Sequence, residues 1–211
     1  NSIISEIDQA SNVDRYFDRR QNERRIERIF DKGYNLVQVN REILKKLELI
    51  YGFEWKIFKD KFNAKPPGGE GFFAHFDGIF IFTDKDGKKR NGWHTFANQF
   101  VNALVVFDDF TPENGSLEVA LKVKGTFQEL LEHTKKDGSP DLLSSFENQC
   151  NFELLHLNAG DLVLFNPNCP HRSKVNRSQS PRRTLYYTYN PSSQGDHYNR
   201  YYEEKHSSRN I

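Results

Sequence analysis

The chain has 211 residues, a length that suits one domain around one sizeable core. Its 30 Lys and Arg balance 29 Asp and Glu, which gives no electrostatic case for nucleic acid or an anionic membrane, and no apolar run approaches the roughly 20 residues of a membrane span. The opening Asn1–Glu6 lacks a basic-then-apolar leader pattern, and two cysteines, Cys150 and Cys169, make no disulfide framework, so the expected compartment is a reducing cytoplasm.

Residues 1–50 read as a helical flank. Val39–Tyr51 carries apolar residues near helical spacing, and the charged stretch Arg19–Asp31, its Arg19-Arg20 and Arg24-Arg25 clusters interleaved with Glu23 and Glu27, reads as a solvated helix face. From residue 54 the chain turns β-branched and aromatic, punctuated by Pro and Gly, and a β core is expected over 54–190. Strands are expected over 72–82, 100–107, 116–120, 162–166 and 184–189, with a polar loop over 84–92 and a helix over 126–134. Residues 195–206 read as a terminal helix. Many short strands behind a helical flank predict a mainly β fold, a jelly roll, in a single domain.

His75-Phe76-Asp77 falls on the predicted strand over 72–82, where positions i and i+2 share a face, so both side chains can aim at one point. Chance alone supplies roughly half such a pair in a chain of this composition, so the pair is weak by itself. The sequence then offers a turn and apolar strand at Gly160–Phe165, a second histidine, His171, after Pro170, and Arg182 eleven residues further on. Two imidazoles and one carboxylate form the facial set that holds non-heme Fe(II). Three coordination positions remain, two for a chelating 2-oxo acid and one for dioxygen. A guanidinium at a distance suits the far carboxylate of 2-oxoglutarate, because Arg pairs with carboxylates through two charge-assisted bonds.

With these residues in place, the chain resembles the phytanoyl-CoA dioxygenase family of Fe(II)/2-oxoglutarate-dependent oxygenases. The resemblance runs from about Phe58 to Lys205. It is carried by Lys65-Pro66-Pro67-Gly68-Gly69, His75-Phe76-Asp77-Gly78, Pro112–Ala120, Gly160–Phe165, Pro170-His171-Arg172-Ser173 with Asn176 and Ser178, and Pro181-Arg182-Arg183 with Thr188-Tyr189-Asn190. One departure follows Ala120: many members have a Pro-Gly-Ser/Thr-His turn where this chain reads Leu121-Lys122-Val123-Lys124-Gly125.

The fold implied is a cupin-like double-stranded β-helix. The resemblance implies His75, Asp77 and His171 as catalytic metal ligands and Arg182 as the 2-oxoglutarate anchor, with Arg183 its competitor and the eleven-residue spacing favouring Arg182. Ser173 could add a hydroxyl bond to the same carboxylate, and Gln99 and Lys61 are further cofactor candidates. Phe73, Trp93, His94 and Asn98 are candidate substrate contacts, the last three in a segment that approaches the site in relatives. Leu104 falls where some relatives place a Trp beside the cofactor. A carboxylate at Asp77 disfavours halogenation, since related halogenases leave that position small for chloride. Lys61, Asn63 and Lys65 share a strand face and could meet an anion; a solvated edge strand explains them equally well. His133, His156, His197 and His206 have no partner at ligand spacing and read as structural or surface residues.

The expected partner is a small-molecule substrate, with the oligomeric state open. The run Thr188–His197, with Tyr201-Tyr202 and Lys205, resembles a bacterial branch that includes aminoalkylphosphonate hydroxylases and tailoring enzymes of specialised metabolism, and the sequence leans slightly to tailoring. A non-catalytic cupin-like binding module is the rival of another class. It would fit a chain missing a ligand or the anchor arginine, and none is missing here.

Overall fold

The computed structural model describes residues 2–208. Helix α1 (Ser2–Gln9) is followed by an antiparallel hairpin, β1 (Asp14–Phe17) and β2 (Glu23–Glu27), and then by α2 (Tyr34–Tyr51). The hairpin corrects the expectation of a wholly helical 1–50. The Asp18 carboxylate accepts the backbone N–H groups of Arg20 and Asn22 at 2.8 and 2.9 Å and so fixes a turn in the middle of the charged stretch. Beyond it Arg25, Ile26 and Glu27 alternate against Asn63, Phe62 and Lys61 of the next strand. Ile26 is fully buried on one face, and Arg25 and Glu27 lie on the other. Helix α2 follows the periodicity expected of it: Leu36, Ile43 and Leu47 are buried, and Gly52, at φ 78°, ends it by donating its N–H to Glu48 O.

Strand β3 (Trp55–Lys65) lies at the heart of the larger sheet, and β12 (Arg182–Pro191) and β7 (Val101–Val106) continue it. With β10 (Leu162–Phe165) the order is β1-β2-β3-β12-β7-β10. β3 is therefore interior, not the solvated edge. Facing it is a smaller sheet of β4 (Phe72–His75), β11 (His171–Ser173), β8 (Leu117–Ala120) and β9 (Phe152–Leu154), in the order β4-β11-β8-β9. The result is the cupin-like double-stranded β-helix expected from the sequence.

The two faces of the larger sheet differ in chemistry. Its outer face, with Trp55, Ile57, Phe62, Leu185, Tyr187 and Tyr189, packs on Leu36, Ile43 and Leu47 of α2. Its inner face is largely polar. In register across it stand Lys65 with Arg182, Asn63 with Thr184, Lys61 with Tyr186 and Lys59 with Thr188. A bulge skips Phe58 in this pairing, so Phe58 joins Lys59 on the inner side, against Trp93 and Tyr201, while Ile57 stays outside.

Several other boundaries differ from expectation. The strand expected over 72–82 stops at His75. Phe82–Thr83 (β5) pairs instead with Lys89–Arg90 (β6), within the expected loop, around an Asp84 carboxylate that takes Arg90 Nε at 2.7 Å. Helix α3 (Phe127–Leu131) starts at a Thr126–Glu129 capping box. No residue pattern announces α4 (Ser144–Glu147), β9 or β11 as separate elements. The terminal helix α5 (Tyr198–Ser207) lies against β3, and its Tyr198 and Tyr202 hydroxyls reach the buried Asp60 carboxylate at 3.2 and 2.9 Å. Asp60 also accepts the N–H groups of Arg28, Ile29 and Phe30, so one carboxylate ties the hairpin's exit to α5.

Candidate metal centre and active site

His75 ends β4 and His171 opens β11, and the two are paired residues of neighbouring strands. Asp77 lies just past β4 rather than on it. Its backbone N–H donates to Pro167 O at 3.0 Å, which holds the turn against the loop leading to His171. Gly78 permits that turn: its φ is 80°, and a Cβ there would come within 2.6 Å of the Trp93 ring. His75 Nε2 lies 3.9 Å from one Asp77 oxygen and His171 Nε2 lies 3.6 Å from the other. The ligating atoms of all three residues fall within 4.8 Å of one another.

The surroundings of these groups fix which atoms are free. His75 Nδ1 is 2.7 Å from Phe73 O, and His171 Nδ1 is 3.0 Å from Cys169 O. A carbonyl only accepts, so both Nδ1 atoms carry the proton and both Nε2 lone pairs point to the shared centre. Burial, then the neighbouring His171, pushes the His75 imidazole down to about 3, and burial lowers His171 as well, so both rings are neutral ligands. Burial would raise the Asp77 carboxyl, but its cationic neighbours, Lys61 above all, outweigh it and keep the group ionised, below its ordinary range. Asn102 Nδ2 donates to Asp77 at 2.7 Å, and Thr188 Oγ1 donates to Asn102 Oδ1 at 2.8 Å, so two strands of the larger sheet orient the carboxylate. Two neutral imidazoles, one ionised carboxylate and no fourth protein ligand among the described residues suit a six-coordinate divalent iron with open positions.

A narrow recess beside this centre is lined by Lys61, Asn63, Ser173, Arg182 and Tyr186, among others. Arg182 is 1% exposed, yet its Nε and Nη1 have no hydrogen-bond partner, and its guanidinium lies 4.7 Å from the centre of the Phe110 ring. A buried charge without partners is costly, so the recess is built for an anion. Arg183 points the other way and grips Asp108 through Nε at 2.8 Å and Nη2 at 2.6 Å. Lys65 donates to Ser173 Oγ at 2.8 Å and to Lys174 O at 2.6 Å, which fixes the serine hydroxyl at the edge of the recess.

The second cavity is larger, about 980 Å³, and opens over His75 and Asp77. Phe73 and Trp93 line it, as does Lys61, which borders both spaces. His94 does not; its ring packs between Phe100 and Phe127. Asn98 and Gln99 are exposed and line neither space, because the 3-10 turn Gly92–Thr95 carries the following residues outward, where the Asn98 N–H donates to Gln194. Sequence reasoning passed over Asn102, Lys59, Arg25, Tyr201 and Lys205. Asn102 had a visible signal, a lone amide in the apolar run Val101–Val106.

The family model for phytanoyl-CoA dioxygenase (PhyH) matches residues 5–184. The chain belongs to the phytanoyl-CoA dioxygenase family. Among curated members, a methylphosphonate hydroxylase from Gimesia maris is 32% identical over 72% of this chain and 52% of its own length. A 2-aminoethylphosphonate dioxygenase from the uncultured bacterium HF130_AEPn_1 is 30% identical over 85% of this chain and 66% of its own. The chain thus spans about half to two-thirds of the length of these relatives. Among solved structures, apo EctD from S. alaskensis superimposes with a TM-score of 0.66 at 20% identity, covering 92% of this chain and 67% of that one, a likeness of fold. No described helix is long and apolar enough to cross a membrane.

Proposed function

We propose that this phytanoyl-CoA dioxygenase family member is an Fe(II)- and 2-oxoglutarate-dependent hydroxylase of a small organophosphonate. The observation that carries the oxygenase reading is the convergence of His75, Asp77 and His171 beside a buried arginine that has no partner. His75, Asp77 and His171 would hold the iron, and Arg182, with the Ser173 hydroxyl, would take the distal carboxylate of 2-oxoglutarate. Bound there, iron and 2-oxoglutarate supply the oxidising power that turns a substrate C–H and dioxygen into C–OH, with succinate and carbon dioxide as co-products.

The chain's own residues hold and position. The Phe73 and Cys169 carbonyls keep the two histidines in the tautomer that presents Nε2. Asn102 and Thr188 set the plane of Asp77, and Phe80, Trp93 and Phe73 give the larger cavity apolar walls that limit water around the reacting carbon.

The substrate class rests on two supports. Two of the three matching curated relatives bear phosphonates in their names. The larger cavity is lined by eight cationic side chains against four acidic ones, in a chain whose formal net charge is only +1. Those supports favour the phosphonate alternative over the tailoring role towards which the sequence leaned. The test is anaerobic reconstitution with Fe(II) and 2-oxoglutarate, followed by succinate release under air with methylphosphonate, 2-aminoethylphosphonate and a panel of neutral polar molecules. A visible Fe(II)–2-oxo acid absorption band and phosphonate-stimulated succinate are expected. Absence of the band would remove the oxygenase reading, and stimulation only by neutral molecules would remove the phosphonate one.

A further inference from the structure

Deep in the larger cavity, three cations surround one carboxylate. Glu27 of β2 is fully buried and paired with Lys205 of α5, and Arg25 Nε lies 3.2 Å from its other oxygen. Lys59 of β3 is buried beside them, and its ammonium has one hydrogen bond, to Tyr201 OH at 3.1 Å. The aromatic faces of Trp93 and Tyr201 lie 5.3 and 5.2 Å from that ammonium. Lys59, Arg25, Lys205 and Tyr201 all line the cavity.

The donors of this group are not matched by acceptors. Glu27 is the acid in direct contact with it, with Asp77 and Asp60 acting on Lys59 from farther off, and an ammonium with three donors is not satisfied by one phenol. Arg25 Nε and Glu27 Oε1, though close, are both left without an aligned hydrogen bond. A purely structural cluster would be expected to bring a second acid. Of the acids that line the cavity, Asp141 pairs with Lys135 at 3.0 Å, Glu70 lies 3.8 Å from Arg24, Asp137 accepts the Ser139 N–H at 2.9 Å, and Asp77 belongs to the His75–His171 cluster.

We infer that Arg25, Lys59 and Lys205, with the Tyr201 hydroxyl, form a subsite for the tetrahedral oxyanion group of the substrate, and that helix α5 therefore determines specificity. The inference rests on the oxygenase reading above and deepens it. A phosphonate group carries between one and two negative charges near neutrality and offers three acceptor oxygens. That matches a group in which Arg25 Nε and two of the three Lys59 N–H donors lack an aligned acceptor among the described residues, and exceeds what a planar monoanionic carboxylate can use. Lys59 and Tyr201 line the same cavity as His75 and Asp77, so the subsite borders the metal centre, and the C–H presented there is one close to the phosphorus. Glu27 has its own part: it keeps Arg25 and Lys205 aligned while the substrate is absent.

The test is calorimetric titration of the anaerobic Fe(II)·2-oxoglutarate enzyme with methylphosphonate, acetate and the neutral diester dimethyl methylphosphonate. Methylphosphonate is expected to bind at least about tenfold more tightly than either of the others. Lys205→Met and Arg25→Gln should each weaken methylphosphonate at least about tenfold, with 2-oxoglutarate affinity within roughly twofold of wild type, and Lys205→Arg should restore most of the loss. Arg25 is partly exposed, so its variant serves if Lys205→Met does not fold. Titration of the iron-free protein with inorganic phosphate separates the two readings. Phosphate binding that Lys205→Met abolishes supports the subsite even if no iron complex forms. Folded variants that bind methylphosphonate as wild type does, or a neutral diester that binds equally well, would overturn it.

Discussion

Arg182 and Arg183 are adjacent on β12, and the strand sends their side chains to opposite faces. Arg182 is buried with Nε and Nη1 unpartnered, whereas Arg183 is half-buried and already bound to Asp108 through two side-chain bonds and its backbone N–H at 2.7 Å. If Arg182 grips the distal carboxylate of 2-oxoglutarate through two charge-assisted bonds, each contributes about 1.5–3 kcal/mol, so Arg182→Ala should cost about 3–5 kcal/mol of 2-oxoglutarate binding. That is about a hundredfold to several thousandfold in affinity. Arg182→Lys should recover little of it, because a point charge replaces a planar fork. Arg183→Ala should leave 2-oxoglutarate affinity unchanged and lower stability by about 0–1 kcal/mol, the usual contribution of a partly exposed pair. Thermal melting separates the two roles. Excess 2-oxoglutarate should raise the melting temperature of wild type and Arg183→Ala through mass action, and should not raise that of Arg182→Ala. Removing an unpaired buried charge should also leave the ligand-free Arg182→Ala protein no less stable than wild type. A 2-oxoglutarate shift that survives in Arg182→Ala and disappears in Arg183→Ala would refute the assignment.

Asp77→Gly should abolish hydroxylation and lower Fe(II) affinity, as read by metal titration; wild-type turnover in that variant would exclude Asp77 as a ligand. Asn102→Leu removes the bond that orients Asp77 and should weaken Fe(II) binding about 10–100-fold while 2-oxoglutarate still binds at Arg182, a split that isothermal titration can resolve. Burial raises the Glu27 carboxyl, but Lys59, Arg25 and Lys205 outweigh it and hold it at about 2, below its ordinary 4.5. A depressed carboxylate stabilises the fold above its unfolded pKa and loses that contribution as pH falls through the folded value. The melting-temperature gap between wild type and Glu27→Gln should therefore be full at pH 7 and close progressively from about pH 4.5 down to about pH 2; a gap that persists unchanged to acid would show that Glu27 is not ionised in the fold.

How much of this was legible in the sequence depends on which face of each strand a residue occupies. The candidate metal ligands were legible because His75 and Asp77 are near neighbours in sequence and His171 sits in its own short motif. α2, the start of α3 beside Thr126 and α5 were legible because helical periodicity is local. The hairpin β1–β2 was not. Its charged residues suggested a solvated helix, since Arg25 and Glu27 obey a period of two only when their cavity-facing side is known to be polar. Asn98 and Gln99 failed as candidates for a different reason: one 3-10 turn decides whether a segment that nears the site turns in or out, and no residue type marks that turn's exit.

The usual rule, that the polar face of an alternating strand looks to solvent, is inverted in the larger sheet. In β12, Leu185, Tyr187 and Tyr189 pack outward on α2, while Arg182, Thr184, Tyr186 and Thr188 face the space between the sheets. In β3, Trp55, Ile57 and Phe62 pack outward, while Lys59, Lys61, Asn63 and Lys65 face inward. A covering helix makes the apolar face the outer one, and a charged ligand site makes the polar face the inner one. What separates this case from an ordinary edge strand is the pairing: lysines on β3 stand in register with Thr188, Tyr186 and Arg182 of β12, and the lone amide of β7, Asn102, completes the row at Thr188. Such a row keeps its register only if what lies between the sheets is itself polar, which is the condition that a metal, a dicarboxylate and an anionic substrate would together satisfy.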